Sequence, residues 1–321
     1  MENYRVITQQ NPQSTAVPVF SQPGFFFHQH PHLHHQDNGQ FRLISAINQD
    51  TGQADAHCAF FVQSNRAVSP LAAPFGSIEF TETLPDSVLD SLITSVLAET
   101  QRAETSTLRL VNYPTCYAPR QTERLTQKLH MHGFTITEDY PTFFLSPTEQ
   151  SITDHTFEFG LAPAERRRLR KCRQANFRVV HQRQPTVAET ILFIQETRCN
   201  KGYPLTIATE KLASLLNEFP NQYAVFTVMD GPTIAALTVT VRVRHDILYN
   251  FLPASNPDYA AFSPMVLLVD GLFQYCQQQR IRLLDLGLSL DHHRQPKPSL
   301  MRFKRNLGAQ ESPKLVFDIA L

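Results

Sequence analysis

Apolar positions along this chain recur with two periods, and the places where one gives way to the other mark out its elements. After Pro85, residues 88, 89, 92, 93, 96 and 97 are apolar. That is the spacing of a helix with one buried stripe, and Pro85 suits its first turn. Runs at 41–47, 59–63, 76–81, 107–111 and 140–145 read as strands, and 120–132 as a helix closed by Gly133. Residues 1–40, rich in Gln, Pro and Ser and then in Phe and His, show neither period and are expected to be irregular. Residues 146–155 are polar, with Pro and Thr, and read as a linker.

The second half opens on a basic helix at 163–175, followed by a strand at 177–182 and helices at 187–200 and 209–217. Three strands come next, at 223–229, 234–243 and 247–252. Asp230-Gly231 and His245-Asp246 sit where two hairpin turns are needed. Ser263 as N-cap and Pro264 as first residue then open a helix that is apolar almost all round in its first turns, as burial against a sheet requires. A strand at 282–286, a short basic helix at 299–306 and a last strand at 314–319 close the pattern. The two halves thus share a coarse plan of strand meander, helix, strand, helix, strand. The expected organisation is an α/β (α+β) chain with an irregular segment 1–40, one domain over 41–150 and a second over 151–321. Each domain carries a mixed, mostly antiparallel sheet flanked by helices.

Composition narrows what such a chain can do. Its 321 residues suffice for two domains, and 42% hydrophobic residues can build a core in each. Lys plus Arg equals Asp plus Glu at 29 each, so no overall field draws nucleic acid or an anionic membrane, and any anion site is local. No apolar run approaches the ~20 residues of a spanning helix, and the N-terminus has no signal-like pattern. Five scattered cysteines without a CxxC pair fit reduced thiols rather than disulfides or zinc. These features predict a soluble, cytoplasmic protein without membrane insertion.

Certain residues carry a more specific likeness. The second half reads Asp230-Gly231, then Leu248-Tyr249-Asn250-Phe251, Ser263-Pro264, Leu284-Asp285-Leu286-Gly287-Leu288 and Phe303-Lys304-Arg305-Asn306-Leu307-Gly308. This string resembles the C-terminal domain of FemAB-like proteins, which are two tandem GNAT-like domains. The likeness is carried by 223–308, extends over 157–222 with Arg170-Lys171 in the opening helix, and is architectural over 40–145. There Ala73-Pro74-Phe75-Gly76 is similar to a turn of the family's first domain. The resemblance implies a bacterial acyltransferase or aminoacyltransferase. Its donor would be acyl-CoA or aminoacyl-tRNA, and its acceptor an amine-bearing small molecule or peptide, with tRNA a possible partner. The glycine-rich pyrophosphate loop of acyl-CoA members is missing, since residues 256–264 hold no glycine. The alternative is a non-catalytic ligand- or partner-binding protein on the same fold.

Amine attack on an ester or thioester needs a neutral nucleophile, a stabilised oxyanion and a protonated leaving group. On that chemistry and the resemblance, Lys304 is expected to act on the oxyanion or a donor phosphate, against a reading as part of a solvated basic helix end. Asp285 would orient the amine or a lysine, or else shape a turn. Tyr249 would protonate the leaving group, or else pack in the core. Ser263 and Met265 at a helix N-terminus, with Arg302, Arg170 and Lys171, are the candidates for holding an anionic donor. Arg166, Arg167, Arg168 and Arg173 extend that basic face, which equally suits a solvated surface. His292-His293 beside Asp291 could supply a base. His28, His30, His32, His34 and His35 would share a side on an extended segment. They lack carboxylate partners other than Asp37, so no metal is expected.

Overall fold

The computed structural model describes residues 3–37, 39–147, 157–199, 207–291 and 293–321. The chain divides into two compact units, 1–140 with 312–321 and 141–311. In chain order unit 1 holds β1 (Tyr4–Gln10), α1 (His30–Gln36), β2 (Arg42–Asn48), β3 (Ala54–Gln63), β4 (Arg66–Ser69), β5 (Ile78–Phe80), α2 (Asp86–Arg102), β6 (Thr107–Val111), α3 (Pro119–Met131) and most of β7 (Thr135–Leu145). Unit 2 holds α4 (Phe157–Gly160), α5 (Pro163–Gln174), β8 (Arg178–Gln182), α6 (Val187–Cys199), α7 (Thr209–Glu218), β9 (Tyr223–Asp230), β10 (Thr233–Arg244), β11 (Ile247–Ser255), α8 (Met265–Gln278), β12 (Leu283–Leu288) and α9 (Pro298–Asn306). The last strand, β13 (Gln310–Ala320), starts in unit 2 and from Ser312 belongs to unit 1.

In unit 1, β1, β2 and β3 pair antiparallel, β5 joins β3, and β4 runs parallel to β6. β13 pairs antiparallel with β6 and lies between it and β7. The helical stripe expected after Pro85 is buried: Val88, Leu89, Leu92, Ile93 and Val96 of α2 pack on Ile44, Ala56 and Phe317 of the sheet.

The expectation of an irregular stretch over 1–40 is corrected. β1 adds a strand along β2, and Phe25, Phe26 and Phe27 are almost fully buried. A strand whose pattern is Val-Ile between polar residues on an edge has too little apolar contrast to register as a period, and a three-residue aromatic plug has none at all. His30–Gln36 is helical, so alternate histidines there do not share a side. The domain border expected at 150/151 also differs. Compactness divides the chain within β7, near Tyr140, and returns residues 312–321 to unit 1. A strand pattern records which residues alternate but not which sheet receives them.

Unit 2 follows the sequence pattern more closely. β8, β9, β10 and β11 form an antiparallel run, β12 lies parallel to β11, and the end of β7 pairs antiparallel with β12. Gly231 turns the first hairpin at φ 54°, a left-handed conformation that glycine adopts without steric cost. α8 is buried as expected through Val266, Leu268, Val269, Leu272, Phe273 and Cys276, and Leu169 and Cys172 bury the one apolar face of basic α5. α8 approaches β8 closely because Gly271 has no side chain; a Cβ there would lie 2.5 Å from Val179 Cγ1. No helix of the described residues is long and apolar enough to cross a membrane.

Candidate active site at the split between β11 and β12

β11 and β12 are paired over three positions only, Ile247 with Leu283, Leu248 with Leu284 and Tyr249 with Asp285. Beyond them β11 stays with β10 as far as Ser255, and β12 shifts register against β7 between Asp285 and Leu288. Two parallel strands that part company leave backbone groups facing a widening gap. Tyr249 and Asp285 stand opposite each other at its apex.

Gly287, at φ 74°, lies within the register shift, and a Cβ on it would sit 3.0 Å from Tyr249 Cε2 and 3.5 Å from the hydroxyl. The tyrosine ring therefore lies over the one residue of β12 that has no side chain. Asp285 is buried, and its Oδ1 accepts the Gly287 N–H at 2.6 Å. Lys304, from α9, donates from Nζ to the carbonyls of Gly287 and Leu288 at 2.7 Å each, with the Phe143 ring 5.6 Å away.

The electrostatics follow from burial. Lys304 is only 5% exposed, and loss of hydration brings its pKa down to about 7, against the opposing pull of Asp285. Burial, and then the Asp285 charge, raise the Tyr249 hydroxyl well above its usual value, so it stays a proton donor. Arg198, in the last turn of α6, is partly buried; desolvation lowers its pKa while Tyr249 attracts it. Among the described residues it forms no hydrogen bond or ion pair. Sequence reading missed Arg198. Its flanking Glu196, Thr197 and Cys199 look like an ordinary polar helix end, and its position depends on how α6 packs over β11.

The structure thus brings Tyr249, Asp285 and Lys304 together. The reading of Lys304 as part of a solvated helix end is corrected, because Nζ points into buried carbonyls while Arg302 and Arg305 on the same helix are exposed. Among the residues expected to hold an anion, Lys171 donates to the Ala261 carbonyl at 2.9 Å and lies 4.5 Å over the Phe262 ring. It therefore shares the corner before α8 with Ser263 and Met265. Ser263 is not the N-cap. It adopts φ 56°, Pro264 occupies that place, and Met265 begins the helix half-buried. Arg302 forms no hydrogen bond or ion pair among the described residues.

The open basic face expected on α5 is corrected as well. Arg170 and Arg173 both bind Glu158, Arg173 also reaches Asp270, Arg168 pairs with Glu165, and Arg166 donates to three backbone carbonyls. Arg167 alone on this helix is a basic residue with no partner among the described residues. The charges are largely spent within the fold, and a basic run read from sequence does not reveal a single glutamate on the preceding turn.

Residues 256–262 close on themselves. Asn256 Oδ1 accepts the Asp258 N–H at 3.0 Å, and the Tyr259 hydroxyl donates to Asp230 at 3.0 Å. His293 donates its backbone N–H to Asp291, a turn contact, and His292 lies outside the described residues.

Comparisons with known proteins bear on the fold. Residues 164–305 match the family model described as an acetyltransferase (GNAT) domain. The fold of the chain is similar to that of tandem GNAT proteins among solved structures. Among solved structures it is similar to FemX, at TM-score 0.71 and 12% identity over 93% of each chain. It is also similar to L-PGS from Bacillus licheniformis, at TM-score 0.58 and 13% identity over 90% of this chain and 86% of that one. A tandem GNAT protein from the clavulanic acid biosynthesis pathway gives 0.53 and 10% over 87% and 82%. No curated protein sequence matches the chain.

Proposed function

We propose that unit 2 transfers an acyl or aminoacyl group from an activated ester or thioester to an amine at the β11–β12 split. The observation that carries this reading is the short parallel pairing that ends at Tyr249 and Asp285, with both side chains held in place beside a buried lysine.

The reaction forms a C–N bond and breaks the C–O or C–S bond of the donor. The proton lost by the amine must finally reach the leaving oxygen or sulfur. Asp285, a carboxylate fixed by the Gly287 N–H, can hold the incoming amine and take up its proton. The Tyr249 hydroxyl, kept protonated by burial and by Asp285, can protonate the leaving group. Arg198 offers charge to an oxyanion or to donor phosphate. Lys304 is a positioning residue: its two bonds set the carbonyls that frame the gap. Holding donor and amine side by side supplies much of the acceleration by itself.

The donor reading favours an aminoacyl ester over acyl-CoA. Residues 256–264 present no glycine, and the backbone N–H groups of Asp258, Tyr259, Ala260, Phe262 and Ser263 are engaged in local turns, so backbone amides are not laid open for a pyrophosphate in the usual way.

The test is transfer of radiolabelled amino acid from charged tRNA to a panel of amine acceptors, alongside the same panel with acetyl-CoA. Tyr249→Phe and Asp285→Asn should each lower kcat by about 10²-fold or more, as loss of acid–base groups does. Their thermal midpoints should stay near wild type, since the asparagine oxygen can still accept the Gly287 N–H. Turnover only with acetyl-CoA would replace the donor. Absence of transfer with either donor would leave the binding-protein alternative in place, and full activity in both variants would overturn the roles given to Tyr249 and Asp285.

A further inference from the structure

We propose that unit 1 contains a divalent-cation site of zinc type, formed by His28 Nδ1, His57 Nε2 and a Glu79 carboxylate oxygen. These three atoms lie within 4.8 Å of one another. Glu79 Oε2 is 3.0 Å from His28 Nδ1 and 3.3 Å from His57 Nε2. Donor atoms at about 2.0–2.1 Å from a tetrahedral ion stand about 3.3 Å apart, so both distances suit the edges of such a site.

The hydrogen bonds around the cluster say more than the distances. His28 is buried, and its Nε2 faces the Gly76 carbonyl at 3.0 Å. A carbonyl only accepts, so Nε2 carries the ring hydrogen, and in the neutral ring Nδ1 holds the lone pair. That Nδ1 faces a Glu79 oxygen at 3.0 Å, and His57 Nε2 faces the same oxygen at 3.3 Å. A lone pair facing a carboxylate oxygen is repulsive unless a ring proton or a metal cation lies between them. The arrangement is the one metal-binding histidines adopt, in which the second ring nitrogen is fixed by a backbone carbonyl.

The fold prepares the other two ligands. His57 and Glu79 are directly opposite on β3 and β5, so strand pairing sets their separation. Glu79 Oε1 accepts the Phe25 N–H at 2.8 Å, which turns Oε2 towards the histidines. The His57 ring lies 4.6 Å from that of Phe20. At Gly24 a Cβ would be 3.3 Å from one Glu79 oxygen and 3.4 Å from the other, so the chain passes the carboxylate where no side chain intrudes. His57 is 14% exposed against 5% and 4% for the other two side chains, which leaves an approach for the ion and for water in a fourth position.

Two imidazoles and one carboxylate are a donor set for zinc-class ions rather than for calcium or magnesium, which take oxygen ligands. The bound ion fastens residues 25–28 to the β3–β5 pair, where packing of Phe25 and Phe27 against Phe75 already brings them. The site therefore has a structural role, independent of transfer chemistry in unit 2.

The test uses the whole chain, stripped by chelator and titrated separately with zinc and cobalt(II) chloride. Expected are one ion per chain, the visible absorption of tetrahedral cobalt, and a raised thermal midpoint with zinc but not with magnesium. His57→Ala, at a partly exposed position, should keep its far-ultraviolet circular dichroism and lose affinity by a hundredfold or more. A His30→Ala/His34→Ala double variant should bind as wild type. Absence of saturable binding in wild type, unchanged binding in His57→Ala, or loss in the His30/His34 variant instead would each overturn the proposal. In that case a protonated His28 paired with Glu79 would account for the geometry.

Discussion

Replacing Lys304 by methionine separates two effects that oppose each other in the wild type. The substitution keeps an unbranched stem of similar reach but removes the Nζ bonds to the Gly287 and Leu288 carbonyls. Each buried acceptor left without a donor costs ~1–3 kcal/mol, so Lys304→Met should be destabilising where the lysine is neutral in both states. The wild-type lysine carries its own penalty at low pH. Its pKa is about 7 in the fold against 10.5 when solvated. Below pH 7 the amine is protonated in both states, and burial of the charge weakens the fold. Between about 7 and 10.5 the unfolded chain binds the extra proton, so native stability rises with pH through that window. From pH 6 to pH 9 this amounts to about 2–3 kcal/mol at 1.36 kcal/mol per unit. The methionine variant lacks this dependence. Urea denaturation of both proteins at pH 6, 7.5 and 9 should therefore show a stability gap that widens with pH by about that amount. A gap that is constant, or that narrows as pH rises, would refute the reasoning and mean that Lys304 is charged in the fold throughout.

Two further substitutions probe unit 2 away from the split. Gly271→Ala would drive a methyl group to 2.5 Å from Val179 Cγ1, and overpacking of this kind costs ~1–3 kcal/mol; a thermal midpoint equal to wild type would show that α8 and β8 can move apart freely. Burial opposes ionisation of Asp246, but hydrogen bonds and charge from Arg244 and Arg282 hold its pKa at about 2 against 3.8 when solvated. The carboxylate then contributes stability above about pH 4 and loses it as pH falls through about 2. Asp246→Asn should cost about 2 kcal/mol at pH 7, and chemical denaturation at pH 7 and pH 3 should find the smaller deficit at the lower pH.

Much of unit 2 was legible because its elements obey single rules. The hairpin at Asp230-Gly231, the amphipathic face of α5 with Leu169 and Cys172, and the apolar α8 are each decided by near neighbours in sequence. The candidate site was legible in part. Asp285, Gly287 and Lys304 stood out through a family likeness, but nothing in their order told that Lys304 would bind carbonyls rather than substrate. Arg198 and Glu158 were invisible for the complementary reason. Each acquires its meaning from a partner many residues away, Arg198 beside Tyr249 and Glu158 under Arg170 and Arg173. In unit 1 the histidine-rich segment looked uniform, whereas the Gly76 carbonyl and the nearby Glu79 carboxylate set His28 apart. Local pattern reports what a residue prefers, and tertiary contact decides what it is used for.

The placing of residues 312–321 in unit 1 has a consequence for the order in which the protein is made. β6 and β7 are made well before β13, the strand that lies between them. Until it arrives, the hydrogen-bonding edges of both strands stand open, and open edges invite pairing with other chains. A chain truncated after residue 311 should therefore expose unit 1, rather than unit 2, to proteases.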